Sequence, residues 1–129
     1  MTAALVGLAA LIMVGCAPAS SNDTSGGASP LSDAAAALCT AKRQAATDPL
    51  AARRVFYERA HDPLHDLARQ AQTADRPAAA RLLEAKQRVE HDLDAGATPQ
   101  RLVGDLDRLL VATDAALTAI SILPPACTG

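Results

Sequence analysis

Aromatic side chains are almost missing from this sequence: it has one Phe, one Tyr and no Trp in 129 residues. Strands are stabilised by β-branched and aromatic side chains packed across the pleat, so an all-β sandwich or barrel is excluded. Methionine occurs only as Met1 and Met13, which leaves no Met for a His/Met haem pocket of the kind some helical cytochromes use. There is no Cys-x-x-Cys pair, so a thiol redox catalyst is not expected. A Gly-rich phosphate loop is missing, and no Ser stands in a nucleophile elbow. Neither charge is in excess: 12 basic and 14 acidic residues give a formal net charge of -2, which does not favour a nucleic-acid surface. So few aromatics would also make a poor pocket for a flat ligand. These absences argue against an enzyme and predict no cofactor.

What is plentiful is alanine, with 31 residues. Ala, Leu and Arg are strong helix formers, and the composition predicts an all-α protein. The length bounds it at one domain.

The N-terminus carries the clearest signal. Met1 to Gly15 has no charged residue, and Ala3 to Val14 is one apolar run. That run falls short of the roughly 20 residues a membrane-spanning helix needs, but it suits the apolar region of a secretory signal. It ends in Met13-Val14-Gly15-Cys16 and is followed by Ala17-Pro18-Ala19-Ser20-Ser21. This pattern resembles the lipobox of bacterial lipoproteins, in which a small residue precedes the modified Cys. The resemblance covers only these first residues. It implies a signal peptide over 1–15, cleavage after Gly15, a diacylglycerol on the Cys16 thiol and acylation of the new N-terminus. Met13 stands where that family usually has Leu. The missing Lys or Arg ahead of the apolar run predicts a start upstream of Met1. Two or more acyl chains would hold the protein stably at the cell membrane, on its extracytoplasmic side.

Residues 17–32 are rich in Ser, Gly, Pro and Ala with the single charge Asp23. A segment of this kind cannot bury a core. With Cys16 it is read as the lipidated linker 16–32, spanning roughly 20 to 25 Å as a random coil. The domain is then 33–129.

Proline and glycine divide that domain into four helical segments. Asp33 to Thr47 is the first, capped by Ser32 or Asp33. Asp48-Pro49 opens the second, which reaches about Ala74. Asp75-Arg76-Pro77 opens the third, which closes at Ala95-Gly96. Thr98-Pro99 opens the fourth, which runs to about Leu123 before Pro124-Pro125. A capping side chain followed by Pro in the first turn is a strong start signal, and Gly suits the C-terminal cap. Apolar residues recur every three or four positions: Phe56, Ala60, Leu64, Leu67 and Ala71; Ala79, Leu82, Val89 and Leu93; Leu102, Leu106, Leu109, Thr113, Leu117 and Ile120. The short connections predict a small antiparallel bundle of three to four helices. The first segment is the least periodic and is expected as a short flanking helix.

Such a core is thin. Cys39 and Cys127 stand near the two ends of the domain, and in an exported protein an even pair reads as a disulfide.

The only local cluster with chemical interest is Phe56-Tyr57-Glu58-Arg59-Ala60-His61-Asp62-Pro63-Leu64-His65-Asp66. Glu58, His61 and His65 share one face of a continuous helix, and two His at i, i+4 can chelate a divalent metal. Asp62 and His91 are possible additions to the set. Three features oppose this reading. On an uninterrupted helix His65 points more than about 100° from the Phe56–Leu67 core direction. Asp62-Pro63 resembles a fresh cap and first helical residue, which would break the shared face. Arg54 and Arg69 fall near the same side. In a weak echo, Glu84-x-x-Gln87-x-x-x-His91-Asp92-Leu93, the residues Glu84, Gln87 and His91 lie opposite the Leu82, Val89, Leu93 stripe and read as solvated. So do Arg81, Glu84 and Arg88, and Asp105 with Arg108.

The expected function is a non-enzymatic, membrane-anchored envelope lipoprotein that presents a helical accessory or interaction domain to an envelope protein partner. The alternative is a metal-handling lipoprotein built on Glu58, His61 and His65.

Overall fold

The computed structural model describes residues 29–128. The signal peptide 1–15, the lipid site Cys16 and the linker as far as residue 28 lie outside the described residues. The elements are α1 (Pro30–Ala45), α2 (Pro49–Val55), a π-helical turn (Phe56–Ala60), α3 (His61–Ala74), α4 (Arg76–Ala95) and α5 (Pro99–Ala119). Among the described residues there is no strand. α2, the π turn and α3 follow one another without a break, so the chain makes four antiparallel rods. Each packs on its neighbour in sequence, and α1 packs on α5 to close the bundle.

One device starts every rod. The side chain of Ser29, Asp48, Asp75 or Thr98 accepts a hydrogen bond from the backbone N–H of Leu31, Ala51, Ala78 or Arg101, and a proline stands in the first turn. The cap satisfies an orphan N–H, while proline has none to leave unsatisfied. Gly96 ends α4 in the left-handed region with φ 66°, where a glycine carries no Cβ penalty.

Two boundaries differ from the sequence reading. α1 begins at Pro30, not at Asp33, because Ser29 provides the cap and Leu31 is buried against the core. The end of the expected linker therefore belongs to the fold. α5 stops at Ala119, short of Leu123. Ser121 adopts φ 62° and its N–H bonds the Thr118 carbonyl, while the Ile122 N–H bonds the Leu117 carbonyl. This pairing is the Schellman arrangement, which normally places glycine at the left-handed position.

α1 is also no flanking helix. Ala34, Ala35, Ala37, Leu38, Cys39, Ala41 and Ala45 are all buried, and the helix touches α2, the π turn, α3 and α5. Its small side chains give little periodic contrast in the sequence because they are enclosed on several sides at once. Half of the buried apolar side chains are alanine. The larger ones, Leu38, Phe56, Leu64, Leu67, Leu82, Leu102, Leu106, Leu109 and Leu117, fill the centre.

The Schellman turn sends the C-terminal strand of chain back along α1. There Cys127 is bonded to Cys39, with Cα atoms 5.5 Å apart, within the range a disulfide spans. The Arg43 guanidinium donates to the Thr128 carbonyl beside it. The bridge closes a loop of 88 residues, which in the chain-entropy account stabilises by about 4 to 5 kcal/mol.

Two outcomes follow. Replacing Cys39 and Cys127 together by Ala should lower the melting temperature by roughly 15 to 30 °C, as read by circular dichroism with the wild type under reducing conditions as a parallel. Ser121→Gly should raise stability by about 1 kcal/mol, because it removes the left-handed penalty without touching a contact; urea unfolding measures it.

Candidate functional site

The second rod passes through Pro63 instead of restarting there. A proline inside a helix loses one backbone bond, and its ring crowds the carbonyl four residues back, here that of Arg59. The π turn lies immediately ahead, and the His61 N–H bonds the Phe56 carbonyl five residues back. The widened turn opens the backbone where the ring needs room. It also inserts an extra residue into the helical count, which rotates everything after Ala60 relative to a regular helix.

His61 and His65 lie along the edge of the seam between α3 and α4, His61 half-buried and His65 exposed, as its angle from Leu67 on the same helix predicts. Their ring centroids lie 5.1 Å apart. His61 Nε2 is 2.9 Å from Glu90 Oε1 on α4, and its Nδ1 is 2.7 Å from Asp62 Oδ1. Lys86 Nζ is 2.6 Å from Glu90 Oε1 and 2.8 Å from His65 Nε2. The nitrogen and oxygen donor atoms of His61, His65 and Glu90 all fall within 4.8 Å of one another. Glu58 is not among them. It is exposed, and Glu90 from the facing helix stands in its place. His91 is exposed elsewhere, in the groove between α4 and α5 with Arg88, Arg101 and Arg108. Of the two arginines expected near this side, Arg54 is exposed, and Arg69 lines the same groove as His65, where it is paired with Asp66 at 2.7 Å.

Lys86 is the unexpected member. Its side chain is only 1% exposed. An ammonium so enclosed must be paired or its desolvation is left uncompensated, and Glu90 and His65 provide the pairing. Lysine has donors only, so His65 Nε2 faces it as an acceptor, with the ring proton on Nδ1.

The seam continues toward the start of the second rod. Tyr57 donates from its hydroxyl to Asp94 Oδ1 at 3.3 Å, and Arg53 reaches the same oxygen at 2.5 Å and the Leu93 carbonyl at 3.1 Å. The Arg53 guanidinium lies 5.0 Å from the Tyr57 ring centre. Partial burial and the neighbouring Asp94 carboxylate raise the Tyr57 pKa above its ordinary value. Phe56, by contrast, is fully buried and offers no surface to a partner.

A second polar seam lies on the other side of α4. Asp92 is 1% exposed and Asp105 6%, and their carboxyl groups hydrogen-bond one another. Arg101 bonds Asp92 at 2.9 and 3.1 Å, and Arg108 bonds Asp105 at 2.5 Å. Two neighbouring carboxyl groups that interact in this way titrate as a pair, one favoured in the protonated form and the other in the ionised form. Burial, then the bond to Asp105, raises the Asp92 pKa; the bond from Asp92 lowers that of Asp105.

The sequence reading places Asp105 on a solvated face and does not single out Asp92, Lys86 or Glu90. A signal for the buried ones exists. Lys86 falls in register with Leu82, Val89 and Leu93 on the apolar stripe, and Asp105 with Leu102 and Leu109. A charge at a core position of a helix is either an error of assignment or a paired group.

Searches against protein-family models, curated proteins and solved structures give no match to this chain.

The carboxyl pair yields a pH dependence. A raised folded-state pKa at Asp92 favours the fold at low pH, and that contribution is lost as pH rises through the raised value. The lowered pKa at Asp105 works oppositely, its contribution fading as pH falls below the ordinary carboxylate range. The pair's contribution to stability should therefore be greatest near that range and decline as pH rises through the raised Asp92 value. Asp92→Asn keeps a neutral donor for Asp105 and should reduce that decline, leaving the part due to Asp114, whose pKa burial also raises; melting temperatures across pH for both proteins check this.

Proposed function

We propose that this chain is a lipid-anchored protein of the cell envelope whose helical bundle acts as a non-enzymatic module for binding another envelope protein. The cysteine accounting carries the reading. The chain has three cysteines, and Cys39 and Cys127 are bonded to each other. The one left over is Cys16, in the lipobox-like Met13-Val14-Gly15-Cys16. A structural disulfide also belongs to an oxidising compartment, which is where a lipoprotein domain would be displayed. No described helix is long and apolar enough to cross a membrane, so attachment in this reading rests on the lipid.

The short segment between Cys16 and the Ser29 cap would hold the bundle close to the bilayer, with α1 as the first element to leave the surface. The polar groups buried along α4 bond one another across the two seams, as groups that keep helices in register do.

Metabolic labelling with an alkyne fatty acid tests the anchor. The full chain should take up label and sediment with membranes, and Cys16→Ser should lose both properties while keeping its disulfide. An unlabelled wild type, or a variant that stays labelled and membrane-bound, would overturn the proposal.

A further inference from the structure

We infer that His61, His65 and Glu90 form a binding site for a divalent transition metal of the zinc class, and that the Lys86 ammonium is an internal competitor for it. The inference goes beyond the anchored-module reading and does not depend on it.

The donor chemistry fits. Two imidazole nitrogens and one carboxylate oxygen are the set that zinc takes with one position left open. The three converge from two rods, with His61 and His65 one turn apart on α3 and Glu90 across the seam on α4. Their donor atoms lie within 4.8 Å, and a tetrahedral site with bonds of about 2.0 to 2.1 Å places its donors about 3.3 Å apart. His61 Nε2 and Glu90 Oε1 are already at 2.9 Å, so the adjustment falls on His65.

The second observation is how the two rings are held. His61 turns Nδ1 to the Asp62 carboxylate at 2.7 Å and aims Nε2 into the centre. Metal-binding histidines are oriented in this way, by a carboxylate on the nitrogen that does not coordinate. His65 presents the lone pair of Nε2 to the same centre, since its partner there is an ammonium.

The third is the ammonium itself. Lys86 Nζ is bonded at once to Glu90 Oε1 and His65 Nε2, two of the three atoms a metal would use. The seam is thus already a cation site, and it is occupied by a cation on a flexible four-carbon stem. For a metal to bind, this ammonium must swing away, and the proton between His61 Nε2 and Glu90 Oε1 passes to solvent. Lys86 therefore weakens metal binding. Removing its charge while keeping its bulk should strengthen it.

The test is calorimetric titration of the full chain with zinc chloride, paralleled by cobalt(II), whose visible absorption reports tetrahedral coordination. Lys86→Met should bind at least ten-fold more tightly than the wild type. His65→Ala and Glu90→Gln, each placed in the Lys86→Met background so that no buried ammonium is orphaned, should lose at least ten-fold of that affinity and the tetrahedral cobalt bands. Melting curves establish that each variant is folded. Glu58→Gln separates the two ligand sets, because only a set containing Glu58 would be weakened by it. Equal affinity in the wild type and Lys86→Met, or affinity indifferent to His65 and Glu90, would overturn the inference.

Discussion

A core built half from alanine constrains everything else in this protein. Each buried methyl removes little apolar area from water, and at about 25 cal/mol per Å² the stabilisation per residue is small. The compensating benefit is close approach of the helix backbones. A domain of about 100 residues that spends its interior this way needs other ties. On the α1 side the tie is covalent: Cys39 and Cys127 join the first rod to the chain after α5. On the α4 side the ties are polar, with Lys86 and Glu90 facing α3 and Asp92 facing α5. The central leucines alone, with a single buried Phe56, would leave both sides weakly specified.

The polar seams depend in turn on the backbone of the second rod. His65 lies two residues before the buried Leu67 on the same helix and stays exposed, so it reaches α4 only along the edge of the seam. The π turn at Phe56–Ala60 changes the phase, and Pro63 is accommodated by the same irregularity. Phe56 and Leu64 stay in the core while His61 and His65 turn onto α4. One local departure from the i→i−4 pattern therefore accommodates a proline within a buried apolar stripe and leaves a half-buried His61 and an exposed His65 at the edge of α4. Such turns recur where a helix must aim particular side chains.

What could be read from the sequence was what depends on near neighbours. Asp48-Pro49, Asp75-Arg76-Pro77 and Thr98-Pro99 each hold a cap and a proline within three residues, and each starts a helix. The pairing of Cys39 with Cys127 was legible on the expectation of export, under which an even pair has few alternatives. The role of α1 was not, because its alanines have no polar counter-face to reveal a period. The π turn was not, because no residue pattern in Phe56–Ala60 distinguishes five residues per bond from four. Glu90 in place of Glu58 is a fact of tertiary arrangement: Glu58 is nearer in sequence, but the phase change leaves it outside. Lys86 and Asp105 were legible in principle, since both sit on apolar stripes.

The position of Lys86 shows why a charge at the core of a thin bundle is not simply a defect. Replacing a buried ion pair with apolar groups is often neutral or stabilising, whereas removing one partner leaves the other charge uncompensated. Lys86, Glu90, His61 and His65 must therefore be treated as one unit. Glu90 holds both the ammonium and an imidazole, so loss of Glu90 alone leaves the buried Lys86 with the neutral His65 and no counter-charge, and loss of Lys86 alone leaves Glu90 with His61. The first change costs far more than the second. The asymmetry follows from Glu90 being 24% exposed while Lys86 is 1%: water can reach the carboxylate when its partner is gone, and it cannot reach the ammonium. The α3–α4 seam is thus built to keep an anion under a cation, and the lysine supplies that cation from within the fold.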